Sequence, residues 1–152
     1  MHLSMRTDYA LRALFTLAER QGCEPMPIAE IARRNDIPKR FLEHIMLELK
    51  SGGWVRSSPG KKGGYVLAKE PVRITMGEVV RHFDGQLAPV GCVSSSNYRP
   101  CSQEAVCRFR RVLLVARNMV SDLMDHSTLQ DILQENPVSR HEVLNGVDGE
   151  GI

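Results

Sequence analysis

The stretch from Ile28 to Ala68 constrains this chain most. Ile28-Ala29-Glu30-Ile31-Ala32-Arg33-Arg34 places Ile28, Ile31 and Ala32 on one face of a short helix, and Asn35-Asp36-Ile37-Pro38 breaks it. Pro38 suits the first position of a second helix, over about 38–50, because the N–H it lacks would be unpaired there anyway. That helix is expected to bury Phe41, Leu42, Ile45, Met46 and Leu49, and to offer Lys39, Arg40, Glu43 and His44 outward from its first turn. Ser51-Gly52-Gly53 ends it, since glycine enters left-handed conformations without steric cost. Trp54-Val55-Arg56-Ser57-Ser58 and Tyr65-Val66-Leu67-Ala68 then read as two strands, joined by the basic loop Pro59-Gly60-Lys61-Lys62-Gly63-Gly64. Two helices around a four-residue turn, followed by a hairpin, predict a winged helix-turn-helix. The fold class is mainly α with a small β-hairpin wing.

Charge points the same way. Residues 1–75 carry thirteen Lys/Arg against eight Asp/Glu, a balance of +5, and residues 76–152 carry seven against ten, −3, which together give the net +2. Between Arg33 and Lys62 there are eight basic residues and three acidic ones. An electropositive front half suits an anionic partner, and a helix-turn-helix reads base edges from the start of its second helix. Lys61 and Lys62 have the charge and reach for backbone phosphates. A nucleotide-binding loop at Gly60–Gly64 is rejected: Walker spacing is absent, no Lys-Ser/Thr follows, and a strand comes next. No run approaches the roughly eighteen apolar residues of a membrane span, and Met1–Asp8 lacks a signal-peptide core, so a cytoplasmic, reducing setting is expected.

The flanks follow helical periodicity. Residues 5–20 read as a core helix carrying Ala10, Leu11, Leu14, Phe15, Leu17 and Ala18, and Thr75-Met76-Gly77-Glu78 reads as a capping box starting a helix over about 76–83. From Ser102 to about His126, Val106, Phe109, Leu113, Ala116, Val120 and Leu123 recur at 3, 4, 3, 4, 3, a heptad seam. Such a helix has more apolar surface than a small wing domain covers, so it is expected to be a dimer interface. Thr128–Asp131 caps a last helix to about Gln134, and Glu135–Ile152 reads as a loose tail. The expected divisions are a winged helix-turn-helix domain at 1–83, a cysteine loop at 84–101, a dimerisation segment at 102–134 and the tail at 135–152.

Three of the four cysteines, Cys92, Cys101 and Cys107, lie within sixteen residues of turn-rich sequence, spaced x8 and x5, while Cys23 stands alone. Zinc knuckles with C-x2–4-C pairs are absent. Placing Cys101 before a helix cap at Ser102, and Cys107 in the first turns, favours thiolates. Residue spacing leaves an iron–sulfur cluster, zinc, a thiol redox switch or no function at these positions. Catalysis is not expected, because a Cys107 nucleophile has no evident paired base.

The chain resembles the IscR/NsrR family of winged-helix, iron–sulfur-dependent bacterial transcription regulators. Thr7-Asp8-Tyr9-Ala10-Leu11-Arg12-Ala13-Leu14, Ile37-Pro38-x-x-Phe41-Leu42-Glu43, Gly53-Trp54-Val55-x-Ser57, Gly60-x-x-Gly63-Gly64-Tyr65-x-Leu67 and Thr75–Val80 carry the resemblance over roughly residues 1–134. It implies a transcriptional regulator, a repressor, that binds a palindromic DNA operator as a homodimer and answers to redox, nitric oxide or iron–sulfur status. Arg33, Lys39, Arg40, Phe41, Glu43 and His44 then fall in the base- and phosphate-contacting region, and Ser57, Gly60, Lys61 and Lys62 in the wing. Cys92, Cys101 and Cys107 fall on the cluster ligands, with the partner subunit's Asp8 a candidate fourth ligand and a 4Fe–4S cluster favoured over 2Fe–2S. Arg110 stands where 2Fe–2S members carry a histidine ligand, and the first cysteine gap is wider than in the better-known members. The alternative is a cluster-free winged-helix regulator controlled by a partner protein or by thiol oxidation.

Overall fold

The computed structural model describes residues 3–145. Helix α1 (Met5–Ala18) runs through the centre of the core, with Ala10, Ala13 and Leu14 fully buried. Ser4 caps it, its hydroxyl accepting the Thr7 N–H at 3.2 Å. Helices α2 (Ile28–Asn35) and α3 (Lys39–Ser51) pack on α1 and contribute Ile31, Leu42, Ile45, Met46 and Leu49 to that core. Asp36 closes α2 in the left-handed region at φ 51°, a conformation uncommon outside glycine, which sets the sharp turn into α3. Pro38 is the cap before Lys39 and not the first helical residue. Phe41 departs from expectation: its side chain is 63% exposed in the first turn of α3. Leu42 occupies the inward position beside it.

Strands β1 (Val55–Ser58) and β2 (Gly64–Leu67) pair antiparallel, with Val55 opposite Leu67 and Ser58 opposite Gly64. A bridge from Met26 to Tyr65, with bonds of 3.0 and 2.8 Å, fastens the hairpin to the segment before α2. Only Gly53 of the glycine pair is left-handed, at φ 78°. Gly52 serves packing, since a Cβ there would lie 2.0 Å from the Trp54 ring. The Trp54 indole N–H donates to the Glu78 carboxylate, so Glu78 does not close the expected capping box, although Thr75 still accepts the Glu78 N–H.

Helix α4 (Met76–Asp84) returns to α1, and Ser4 N–H donates to Asp84. The long helix α5 (Arg110–His126) then crosses α4. Gly77 permits that approach, because a Cβ would lie 2.0 Å from Asp125 Oδ1. Arg81 pairs with Asp125 across the contact. Met76 N–H donates to Ser127 O at 2.9 Å and Leu129 N–H to Ile74 O at 2.9 Å, which seats α6 (Leu129–Gln134) and its fully buried Leu129 on the core. Thr128 and Asp131 form the predicted reciprocal cap.

Two expectations need correction. The long helix starts at Arg110 and not near Ser102: Cys101–Val106 folds into successive turns, with Glu104 N–H on Cys101 O and Val106 N–H on Gln103 O. Cys101 and Cys107 therefore precede the helix, and Val106 and Phe109 are not part of its stripe. The expected tail contains α7 (Arg140–Asn145), started by Ser139 and Glu142, each side chain accepting the other's backbone N–H. The rest of that tail, residues 146–152, lies outside the described residues. Among the described residues no helix is long and apolar enough to cross a membrane.

Candidate cysteine centre and nucleic-acid interface

The residues expected to meet DNA lie on the first turn of α3, the end of α2 and the hairpin. Arg33 and Lys39 border one hollow of about 380 Å³ around Asp36, Ile37 and Pro38. Lys39, Arg40, Phe41, Glu43 and His44 are all exposed on α3, and the His44 ring bonds the Arg40 carbonyl at 2.9 Å. Glu30 holds Arg33 through two bonds of 3.1 and 2.8 Å, and Arg34 through one of 2.7 Å. The Arg33 hydrogen bonds, followed by those of Arg34, lower the Glu30 pKa from 4.5 to about 2. In the wing, Gly60 has φ 106°, Lys61 and Lys62 are exposed, and Lys62 lies 3.6 Å from Glu24. Ser57 accepts from the Lys50 ammonium at 2.7 Å, which ties β1 to the end of α3.

The cysteine loop is more ordered than its composition suggests. Leu87, Ala88, Val93 and Ser94 are buried, and Gly91–Val93 makes a 3-10 turn. Ser94 Oγ accepts Asn97 N–H at 3.0 Å, and Ser96 Oγ donates to Gly85 O at 2.9 Å. The four cysteines are free thiols. Cys92, Cys101 and Cys107 together line one cavity of about 600 Å³, with Arg99, Val106, Phe109, Arg110 and Leu113 among its walls. Cys23 lies far along the chain, in a separate hollow beside Arg20 and Tyr65.

Two polar residues organise this loop, Arg110 and Glu104, the second of which thiol spacing does not point to. Arg110, the first residue of α5, donates through Nη2 and Nε to the Cys92 carbonyl at 2.7 and 3.2 Å. Glu104 accepts the Cys101 N–H at 3.1 Å and the Tyr98 hydroxyl at 2.6 Å, and lies 3.4 Å from Arg110. The Tyr98 hydrogen bond, with help from the Cys101 amide and Arg110, holds the Glu104 carboxyl below its ordinary pKa, and the same bond raises Tyr98. In the sequence Arg110 is marked only by its place three residues after Cys107.

Among the described residues no three His, Cys, Asp or Glu side chains stand close enough to hold one metal ion. A set of three thiols around a larger cavity suits a polynuclear, thiolate-held group better than a single small cation. Asp8 pairs with Arg12 at 2.8 Å on its own α1. The expected seam also divides. Leu113, Ala116 and Val120 are partly covered, whereas Val112, Val115, Met119 and Leu123 form the exposed apolar stripe of α5, with Phe109 and Val106 exposed ahead of it. Helix α4 covers one side of α5 within the chain, which heptad spacing alone does not register.

Comparison with known proteins agrees with this architecture. Residues 3–135 match the family model Rrf2, described as an iron-dependent transcriptional regulator. The chain is 41% identical over 145 residues to an Rrf2-like HTH-type transcriptional regulator of Rhodobacter capsulatus, covering 91% of this chain and 97% of that one. It is 35% identical over 133 residues to the HTH-type transcriptional regulator NsrR of Bacillus licheniformis, covering 88% and 92%. The solved structure of CymR, the global cysteine regulator of Bacillus subtilis, superposes with a TM-score of 0.78 at 28% identity, over 90% of this chain and 99% of that one. A winged hairpin on a helix-turn-helix, with matches spanning the cysteine loop, makes the chain a member of the Rrf2 family of transcriptional regulators.

Proposed function

We propose that this regulator represses transcription as a homodimer on a palindromic operator, and that an iron–sulfur cluster on Cys92, Cys101 and Cys107 controls its grip. The observation that carries the cluster reading is the shared cavity of these three thiols. Likeness to NsrR supports it. When bound, such a cluster supplies a redox- and nitric-oxide-reactive link between thiolates, and a 4Fe–4S form is favoured. The partner subunit's Asp8 is the proposed fourth ligand.

The chain's own residues supply the readout. The first turn of α3, with Lys39, Arg40, Phe41, Glu43 and His44, enters the major groove beside Arg33, while Ser57, Gly60, Lys61 and Lys62 meet the backbone. The exposed stripe of α5, with Phe109 and Val106 ahead of it, packs on a second copy. Arg81–Asp125 and the Ser127 and Leu129 backbone bonds join α5 to the DNA-binding head. A change at the front of α5 thereby alters half-site spacing, on which a dimeric reader depends.

Anaerobic purification tests the cluster directly: iron, sulfide and visible absorbance are expected in the native chain, with altered absorbance in Asp8→Ala. Protein with intact thiols but neither iron nor sulfide excludes the reading. A second reading has support from the CymR likeness: control without a cluster, through a partner protein or thiol oxidation. It predicts unchanged DNA response under anaerobic iron loading, and for partner control an unchanged response in a Cys92, Cys101, Cys107 triple serine variant.

A further inference from the structure

Arg110 spans the two ends of the cysteine loop. Its guanidinium donates twice to the Cys92 carbonyl, and it is the first helical residue of α5. Across from it, one Glu104 oxygen accepts the Cys101 amide and the other lies 2.6 Å from the Tyr98 hydroxyl and 3.4 Å from Arg110. The sequence Cys92–Arg110–Glu104–Cys101 is therefore one continuous polar chain. Cys107 lies on the segment between Glu104 and Arg110, three residues from each.

Neither residue suits ligation. A guanidinium stays protonated and has no acceptor lone pair. Both Glu104 oxygens already accept hydrogen bonds or face Arg110, and no group of three candidate ligands includes Glu104 among the described residues. The pair also differs from a solvated surface bridge such as Lys39–Glu43, at 3.8 Å with side chains 57% and 49% exposed. Arg110 and Glu104 are 32% and 21% exposed, and each grips the backbone of a different cysteine. Such shielding weakens solvent screening, and the forked donation is one that lysine cannot reproduce.

We propose that Glu104 and Arg110 are positioning residues: a clamp that sets the separation of the three cysteines and couples their loop to helix α5. It rests on the cluster reading for what the thiols hold, while the clamp itself is a property of the polypeptide. Arg110 thus takes over by geometry a position that cannot serve as a ligand. A disturbance at Cys92 or Cys101 reaches the first turn of α5 through one side-chain pair.

The test has two arms. In the apo chain, hydrogen exchange read by NMR is expected to rise about tenfold at the Cys101 amide and nearby loop amides in Glu104→Gln and Arg110→Ala, as befits loss of charged hydrogen bonds. Tyr98→Phe gives a smaller rise, Arg110→Lys does not restore protection, and α1 amides stay protected as evidence of folding. The double variant exchanges no faster than the worse single, because the pair acts as one unit. Unchanged loop exchange, or additive effects, overturns the clamp. In the second arm the chain is loaded anaerobically with iron and sulfide, and visible circular dichroism is compared between native, Glu104→Gln and Arg110→Ala proteins. A changed spectrum is expected, and an identical one overturns the positioning role. If the native chain takes up no iron or sulfide, the cluster reading fails, and the exchange arm still decides the clamp.

Discussion

Helices α1 and α5 carry similar apolar content to opposite ends. Eight of the fourteen residues of α1 are buried, whereas α5, with seventeen, buries none. The first is enclosed by α2, α3, α4, α6 and the hairpin, and the second touches mainly α4 and the cysteine loop. One helix completes a core within the chain; the other leaves Val112, Met119 and Leu123 each more than two-thirds exposed. An exposed apolar stripe of that length is a mark of an interaction surface. Buried apolar surface is thus concentrated in the head, and exposed apolar surface in α5.

Truncation should separate these roles most sharply. Leu14→Ala is expected to cost about 2–5 kcal/mol of unfolding free energy, as a fully buried leucine does. Leu123→Ala should stay within about 0.5 kcal/mol when measured on dilute monomer, as an exposed substitution does. Equal losses by thermal melting would erase the contrast. The next largest effect concerns assembly. Burying a charge in the stripe, by Met119→Glu, should weaken dimerisation by about 3 kcal/mol or more, over a hundredfold in Kd. Sedimentation showing an intact dimer would move the interface elsewhere.

Smaller effects probe the head as a DNA reader. Lys61→Ala and Lys62→Ala should each weaken operator and random DNA alike, and each lower the slope of log affinity against log salt by about one. A double alanine variant with an unchanged slope would remove the wing from the interface. The smallest effect is expected at Glu30, which holds Arg33 and Arg34. Glu30→Gln should release both and raise DNA affinity by up to about fivefold, the scale of exposed ion pairs. Its pH dependence has a definite sign: the folded pKa is depressed, so the pairing is complete above 4.5 and is lost as pH falls toward about 2. Operator titrations near neutrality should therefore show no Glu30 contribution to pH dependence.

Much of the head was legible because its signals are local. The Asn35–Pro38 break, the glycines after α3, the glycine-rich loop of the hairpin and the Thr128 cap each act within a few residues. The Ser139–Glu142 cap is equally local, but it lies in a stretch whose polar composition suggests a loose tail. Phe41 shows a limit of periodicity: it sits at the edge of the apolar face, and only the burial of Leu42 in the core beside it decides that Phe41 turns to solvent. In the cysteine loop the thiol spacing identified the candidate ligands, but spacing does not report the cavity they share.

By itself the sequence determined the order of elements, the basic front half, the cysteine spacing and the presence of an apolar seam. Those follow from dihedral preferences, caps and periodicities that act over one or two turns. Tertiary structure alone decided that α5 begins at Arg110, that α4 covers one side of it, and that its exposed stripe runs through Val112, Val115, Met119 and Leu123. It also decided that Arg110 meets Cys92 across eighteen residues of sequence. Such contacts depend on how loops close and which faces compete for burial, and no periodic pattern encodes them.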